Sequence, residues 1–232
     1  EDYSEGVRFS VDNFEGSEST PSQIAYENEI SVLEKMDGLR IQNSSNIKIQ
    51  ALSVVMNSLN NGIDVYSAII INMCKNIFIS SNDLHDFYTN HSTAISVWNS
   101  PNTKICCNGI VKFYTGIQVL SNSINSQFRT NNFNYNTNIG LDFDMMPMTQ
   151  EQDHPGNQFN TFNSPYSVLV GHCQTGYQYL NEFKVDIAPF NLDPPTGWWF
   201  PDGMPEATCG SDLICQMGAH GGYNPDTDAK LL

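Results

Sequence analysis

The amino-acid sequence predicts an all-β fold, a right-handed parallel β-helix, because several short motifs recur along the chain in step with one another. One motif is a tetrapeptide, Asn-x-x-(Ile/Phe), and its four copies begin at Asn46, Asn76, Asn102 and Asn125. A shortened fifth copy begins at Asn157. Six residues after the last four of these asparagines stands another asparagine, namely Asn82, Asn108, Asn131 and Asn163. Motifs that keep step in this way indicate a solenoid of stacked repeats.

A further motif indicates that the repeats contain strands and not helices. It has the form Gly/Ala-apolar-polar-apolar, and its copies begin at Gly38, Gly62, Ala94, Gly116 and Gly140. Apolar and polar residues alternate with a period of two, which is typical of a strand with one buried face. Stacking the copies predicts one inward column of Leu39, Ile63, Ile95, Ile117 and Leu141, and a second of Ile41, Val65, Val97, Val119 and Phe143. The outward column is then Arg40, Asp64, Ser96, Gln118 and Asp142.

The repeat length fits one turn of a parallel β-helix. The intervals between the motif asparagines are 30, 26, 23 and 32 residues, which is too short for a strand and a long helix in every repeat. Two or three short strands per turn are expected. The additional residues of the longer turns are predicted to lie in loops at 69–75, 87–92 and 144–155.

The asparagines are predicted to form structural ladders at the corners of the turns. Asparagine tolerates left-handed backbone, and its side chain bonds to nearby backbone groups. Amides stacked at one corner can also hydrogen-bond to one another along the axis. The alternative, that they are ordinary polar loop residues, does not explain the shared spacing of six. The predicted ladder residues are Asn76, Asn102 and Asn125, together with Asn82, Asn108 and Asn131.

The chain is expected to contain one solenoid and an irregular end. The segment 6–9 has the Gly-apolar-polar-apolar form, so an additional turn is expected before Gly38, whereas 15–29 is polar and is interpreted as a loop. The chain opens in mid-pattern, so we expect it to be part of a longer protein. We divide it into a parallel β-helix (1–185), a capping segment rich in Pro, Trp and Cys (186–217) and a linker or tail (218–232).

The aromatic residues of the capping segment have two possible roles. The segment contains prolines, which remove backbone donors and exclude regular structure. Sealing the last turn of the solenoid is the first role, and a platform on which glycans stack is the alternative. The residues concerned are Trp198, Trp199 and Phe200.

Composition and charge exclude some classes of partner. The chain has 25 Asp and Glu residues against 10 Lys and Arg, a net charge of −15. This charge opposes binding to nucleic acid or to an anionic membrane. No apolar run is long enough to cross a bilayer, so membrane insertion is not predicted. A surface of amides and hydroxyls is common in extracellular β-rich proteins, which favours a secreted or cell-surface location.

The six cysteines suggest an oxidising compartment without proving it. Cys209 and Cys215 would close a small loop, so a disulfide between them is our best pairing. Adjacent Cys106 and Cys107 are predicted to point one inward and one outward. No cysteine has the spacing of a zinc ligand. The pairing stays open for the remaining four, Cys74, Cys106, Cys107 and Cys173.

Catalysis is possible on this fold, because parallel β-helices include polysaccharide lyases and glycoside hydrolases. Such sites need clustered carboxylates, or calcium with a basic residue. The outward aspartates Asp64 and Asp142 would lie about 14 Å apart at the usual strand spacing, which is too far for a carboxylate pair. The group formed by Asp83, His85 and Asp86 is interpreted as a solvated loop. No catalytic residue, metal ligand or cofactor is therefore predicted; structural calcium is possible but not predicted.

The motifs resemble those of a family of large secreted surface proteins of Bacteroidota. The resemblance is carried by Gly-Ile-x-Val, Asn-Ser-x-x-Asn-x-Phe and the segments 156–159 and 197–200, followed by Cys209 and Cys215. In that family, parallel β-helix repeats precede a Trp-Phe and paired-Cys segment, and the type IX secretion system exports the chain. The resemblance implies a surface or appendage protein, and it supplies no catalytic residues.

The sequence thus predicts a non-catalytic structural or adhesive module of an extracellular fibre or appendage. Its expected partners are further copies of itself or other subunits of the assembly, with surface glycans as possible ligands. The alternative is a carbohydrate-active enzyme, a polysaccharide lyase or glycoside hydrolase, or a glycan-binding module. The ligand and the number of subunits stay open.

Overall fold

The structure of the protein is a computed structural model. It describes residues 6–24, 28–32, 36–57, 65–87, 91–123, 126–129, 131–134, 139–144, 158–160, 166–170 and 192–193. Within these ranges the chain forms β-strands and no helix. In chain order the strands are β1 (Gly6–Asp12), β2 (Ser22–Ile24), β3 (Asn28–Val32), β4 (Met36–Gln42), β5 (Ser45–Gln50), β6 (Leu52–Met56), β7 (Tyr66–Asn72), β8 (Lys75–Ser80), β9 (Asp83–Asp86), β10 (Ser92–Trp98), β11 (Lys104–Cys106), β12 (Gly109–Val111), β13 (Thr115–Leu120), β14 (Gln127–Arg129), β15 (Asn132–Asn134), β16 (Ile139–Asp144), β17 (Gln158–Asn160), β18 (Tyr166–Val170) and β19 (Leu192–Asp193).

The strands form three parallel sheets, and the chain visits the sheets in rotation. Sheet A has the order β1-β4-β7-β10-β13-β16-β18-β19. Sheet B has the order β2-β5-β8-β11-β14, and sheet C has the order β3-β6-β9-β12-β15-β17. Each strand pairs with its counterpart in the next turn. The all-β parallel β-helix predicted from the sequence is confirmed.

The core consists of aliphatic and aromatic columns that run along the solenoid. In sheet A, Ile95 pairs with Ile117 and Val97 with Val119, and all four side chains are fully buried. The parallel register places apolar residues over apolar residues from turn to turn, and aromatic rings follow aliphatic side chains at Phe128, Phe133 and Phe143. Sheets B and C contribute their own inward residues, among them Ile47, Ile77, Ile79, Ile105 and Phe128, and Val54, Leu84, Ile110 and Phe133.

The inward column differs from the prediction at one turn. Ile69 pairs with both Leu39 and Ile95, so it occupies the place predicted for Ile63. Ile63 itself lies outside the described residues, and Val65, predicted to be inward, is 58% exposed. The outward place predicted for Asp64 belongs to Ile70.

The cause of this error is that Ile63-Asp64-Val65 has the expected alternation, whereas Ile69-Ile70-Ile71 has an apolar residue at the outward position. Leu39 and Ile69 are 30 residues apart, which matches the interval from Asn46 to Asn76, whereas Leu39 and Ile63 are only 24 apart. Gly62 matches the glycines that begin the other copies of the motif, so the pattern assigns the stretch 62–65 to the sheet A strand. The predicted loop at 69–75 is therefore wrong, because β7 extends to Asn72.

Two further predictions concern the N-terminal part. The additional turn before Gly38 is confirmed, since β1 pairs with β4 and Phe9 lies beside Leu39. The loop predicted at 15–29 is wrong, because this segment contains β2 and the first residues of β3. Strand β2 has only three residues, and its pairing with Ile47–Ile49 of β5 defines it.

Of the predicted capping segment 186–217, the structure describes residues 192–193. Leu192–Asp193 continue sheet A beside β18. The rest of the capping segment, the tail, Ile63 and Asn125 lie outside the described residues, and so do Cys209, Cys215, Trp198, Trp199 and Phe200. Their roles and the division of the chain into three segments stay predictions.

The corners of the turns differ in how much their length varies. Three consecutive turns carry residues with positive φ at a spacing of three and then five, namely Asn43, Asn46 and Ala51, then Met73, Asn76 and Ser81, then Asn99, Asn102 and Cys107. The segments from sheet C back to sheet A have different lengths, 57–65, 87–91 and 112–114. The segments from sheet A to sheet B also vary, from two residues at 43–44 to nine at 13–21, so length variation occurs at both of these corners.

Candidate functional site

A row of asparagines lies at the corner where sheet B begins, and we call it the corner ladder. Its members Asn46, Asn76 and Asn102 have φ values of 56°, 55° and 58°, a backbone conformation that asparagine adopts more readily than most residues. Asn102 Nδ2 donates to Asn76 Oδ1 at 2.9 Å, and Asn76 Nδ2 donates to Asn46 Oδ1 at 2.9 Å. Asn46 Nδ2 then donates to the carbonyl of Gly16 at 2.8 Å.

A second row, the buried ladder, lies at the corner between sheets B and C. Its members Asn82, Asn108 and Asn131 are at most 2% exposed. Asn82 Nδ2 donates to Asn108 Oδ1, and Asn108 Nδ2 donates to Asn131 Oδ1, each at 2.9 Å. The donors of this ladder point towards the C-terminus, opposite to those of the corner ladder.

The buried ladder also satisfies the backbone of neighbouring turns. Asn108 Oδ1 accepts the backbone N–H of Asn82 at 3.1 Å, and Asn108 Nδ2 donates to the carbonyl of Ile79 at 3.1 Å. Asn131 Nδ2 makes the equivalent bond to Ile105 at 2.8 Å. Buried amides used in this way tie three turns together, because each polar atom finds its partner in an adjacent turn.

A row of hydroxyls beside the corner ladder was missed in the sequence. Ser100 Oγ accepts the backbone N–H of Cys74 at 3.0 Å, and Ser123 Oγ accepts that of Ser100 at 3.1 Å. Cys74 replaces the serine in its own turn and donates to the carbonyl of Asn72. Burial raises the pKa of the Cys74 thiol, which therefore stays protonated. The signal in the sequence is a Ser or Cys two residues before the asparagine of each of the four complete motifs.

A groove of about 710 Å³ runs along the corner between sheets A and B. It crosses several turns and is lined by Asn13, Phe14, Glu15, Asn43, Ser44, Ser45, Met73, Cys74, Lys75, Asn99, Pro101 and Asn122. Phe14 is 41% and Met73 is 57% exposed. Amides and apolar surface together suit a neutral polar ligand, because amides both donate to and accept from hydroxyls. Glu15 is the single carboxylate among the lining residues, whereas glycoside hydrolysis ordinarily requires two.

We expect Met73→Asn to raise the free energy of unfolding by about 1 kcal/mol. Met73 has φ 52° at a position where Asn13, Asn43 and Asn99 stand in other turns. Left-handed backbone is strained for methionine and is tolerated by asparagine. Urea unfolding followed by circular dichroism measures the change. Asn43→Met is the matched control and should lower stability by a similar amount; if both substitutions act in the same direction, the backbone explanation is incorrect.

Asp83, His85 and Asp86 belong to strand β9, so their interpretation as a solvated loop is wrong. Asp86 is completely buried, and Ser92 Oγ donates to its carboxylate, whereas Asp83 is exposed. Asp142 accepts a hydrogen bond from Gln118 Nε2 at 3.1 Å. In the described ranges, no group of three or more His, Cys, Asp or Glu side chains is placed to hold a metal ion.

The described cysteines Cys74, Cys106 and Cys107 form no disulfide with one another. The prediction that one of Cys106 and Cys107 points into the core is wrong. Cys106 follows the inward Ile105 and therefore occupies an outward position of β11, although it is fully buried. Cys107 is at a left-handed corner with φ 56°, which ends the strand alternation used in the prediction.

Similarity to known proteins adds nothing to this geometry. No membrane-spanning helix occurs in the part of the chain that the structure describes. Comparison of the chain with protein-family models and with curated proteins finds no match.

Proposed function

We propose that this chain is a non-catalytic structural module of a secreted or cell-surface protein, and that it forms a stiff segment of a fibre or appendage. The observation that carries the proposal is the pair of asparagine ladders running beside continuous apolar columns. Neighbouring turns are joined by backbone bonds in three sheets and by side-chain bonds at two corners. Bending or shearing such a rod must distort many of these bonds at once.

The groove at the corner between sheets A and B supports an adhesive role as well. Its amides repeat from turn to turn at the strand spacing of about 4.8 Å, and Phe14 and Met73 add apolar contact area. Such a surface is suited to extended neutral polymers, for which surface glycans are the natural candidates. Association with further copies or with other subunits of an assembly is part of the same proposal.

Single-molecule force spectroscopy tests the structural role. A chain pulled from its two ends should yield turn by turn, with length increments of about 80–110 Å per turn of 23–30 residues. Asn108→Ala should lower the force of the event that releases its turn, whereas Asn122→Ala, at an exposed position, should not. Extension without resolved resistance would refute the proposed mechanical role.

Incubation with neutral and acidic polysaccharides tests the non-catalytic part of the proposal. We expect no release of reducing ends or of unsaturated ends, because Glu15 is the single carboxylate among the described residues that line the groove. The matched variant is Glu15→Gln. Release of either product by the native chain, abolished in this variant, would establish the enzymatic alternative instead.

A further inference from the structure

The outer face of sheet B is basic, although the protein as a whole is strongly acidic. The strands of sheet B contain Lys48, Lys75, Lys104 and Arg129 and no Asp or Glu. The strands of sheet C contain three acidic residues, Glu29, Asp83 and Asp86, and no Lys or Arg. With a net charge of −15, this separation of charge makes sheet B the face suited to an acidic partner.

Several outward side chains on this face are buried, although its lysines are not. Phe78 lies between the inward residues Ile77 and Ile79 on β8, yet it is only 2% exposed. Cys106 and Gln127, also at outward positions, are 0% and 2% exposed. By contrast Trp98, near the end of β10 in sheet A, is 52% exposed. The Lys48 ammonium lies 5.7 Å from the centroid of the Phe78 ring, but one flexible side chain cannot cover three strands.

The same face contains polar atoms that need a partner. Ser80 Oγ and Gln127 Oε1 are buried, and no hydrogen-bond partner for them occurs in the described part of the chain. Burial also lowers the pKa of Lys48, as expected for an ammonium that has lost part of its water. A buried hydroxyl and amide oxygen are ordinarily paired. Whatever covers sheet B therefore offers polar groups as well as apolar contact.

We propose that residues 201–228 of the same chain dock on the outer face of sheet B. This segment contains five acidic residues and no Lys or Arg, namely Asp202, Glu206, Asp212, Asp226 and Asp228. Its apolar residues, Met204, Leu213 and Ile214 among them, provide contacts for Phe78. The interface joins a basic sheet to an acidic segment and is distinct from the groove between sheets A and B.

The path of the chain permits this docking. Strand β19 ends at Asp193 and extends sheet A beside β18, so the following residues start at that end of the solenoid. The eight residues 194–201 can extend over about 26 Å. Crossing the five strands of sheet B requires only about 20 Å, and residues 201–228 exceed that length several-fold.

Thiol labelling of Cys106 in the full-length protein tests the proposal. The labelling rate of each cysteine with N-ethylmaleimide is measured by peptide mass spectrometry. We expect Cys106 to label slowly in the native chain and about tenfold faster when the five acids of 201–228 are changed to their amides, since several weak ion pairs are lost together. Cys74, buried at a different corner, should keep its rate and so reports on overall folding.

A charge-matched variant separates docking from a general charge effect. Neutralising five exposed acids elsewhere, Asp12, Glu15, Glu18, Glu29 and Asp83, should leave the Cys106 rate unchanged. Carbodiimide cross-linking of the native chain should join Lys48 or Lys104 to carboxylates of 201–228 within one molecule. The proposal is overturned if the matched variant accelerates Cys106 equally, if native Cys106 labels as fast as the partly exposed Cys107, if the rate depends on protein concentration, indicating a second copy, or if the lysines cross-link only to other segments.

Discussion

Gly116→Ala should lower the free energy of unfolding by about 3 kcal/mol, because strand β13 has no room for a methyl group there. A Cβ atom on Gly116 would lie 2.4 Å from the carbonyl oxygen of Gly140 and 2.6 Å from Phe133 Cδ1. Phe133 pairs with Ile110 of the preceding turn, so a larger ring fills the core at this point. The backbone oxygen cannot move without disturbing the pairing of β13 with β16. Urea unfolding followed by circular dichroism measures the loss.

Gly109→Ala is the matched control for this prediction. A Cβ atom on Gly109 would meet nothing closer than Asp83 Oδ1 at 3.4 Å, an ordinary contact at the end of a side chain. Because alanine also restricts the unfolded chain, this variant should be as stable as the native protein or more stable by up to about 1 kcal/mol. Equal losses for Gly116→Ala and Gly109→Ala would show that backbone freedom, and not space, explains both glycines.

Asn108→Ala should lower stability by about 4 kcal/mol, the largest effect expected in this protein. The Asn108 side chain makes four hydrogen bonds, to the backbone and side chain of Asn82, to Ile79 and to Asn131. Its removal leaves several buried polar groups without partners, each at a cost of about 1–3 kcal/mol unless water enters. Equilibrium unfolding in urea, compared with the native chain, measures the difference.

The control for the buried ladder is Asn99→Ala. Asn99 has φ 48° but is exposed, so this variant reports the strain of a left-handed corner alone, about 1 kcal/mol. Asn108→Asp keeps the acceptor atom and removes both donors, and it should fall between the two. Comparable losses for Asn108→Ala and Asn99→Ala would mean that the ladder bonds add nothing beyond backbone conformation.

The sequence predicts the stacked architecture and the inward residues Ile95 and Ile117, because each turn of a solenoid repeats the same sequence pattern. The place predicted for Ile63 belongs to Ile69, because a search for alternation passes over Ile69-Ile70-Ile71, whose middle residue is apolar. The interval of 30 residues between Asn46 and Asn76, used strictly, selects Ile69. Spacing between motifs is thus a stronger constraint than the composition of any single motif.

Other features were beyond the sequence because they depend on contacts across the molecule. Alternation identifies Phe78 and Cys106 as outward residues, and outward residues are ordinarily exposed; their burial depends on what lies over sheet B. The opposite donor directions of the two ladders follow from rotations of the amide groups, which spacing does not encode. The groove likewise arises where corners of several turns align, and Phe14 and Glu15, which line it, belong to no repeated motif.

The uneven lengths of the corners have a consequence for how such a protein can change. Across sheet B, in the three turns from Asn43 to Cys107, the intervals of three and five residues keep each corner asparagine in line with its neighbours. Between sheets C and A the chain already accommodates segments as different as 57–65 and 112–114. Doubling the length of a flexible segment costs only about 0.6 kcal/mol in closure entropy. Foreign peptides grafted at that third edge, such as epitopes or enzyme tags, should therefore be displayed in a line along the rod without altering its registration.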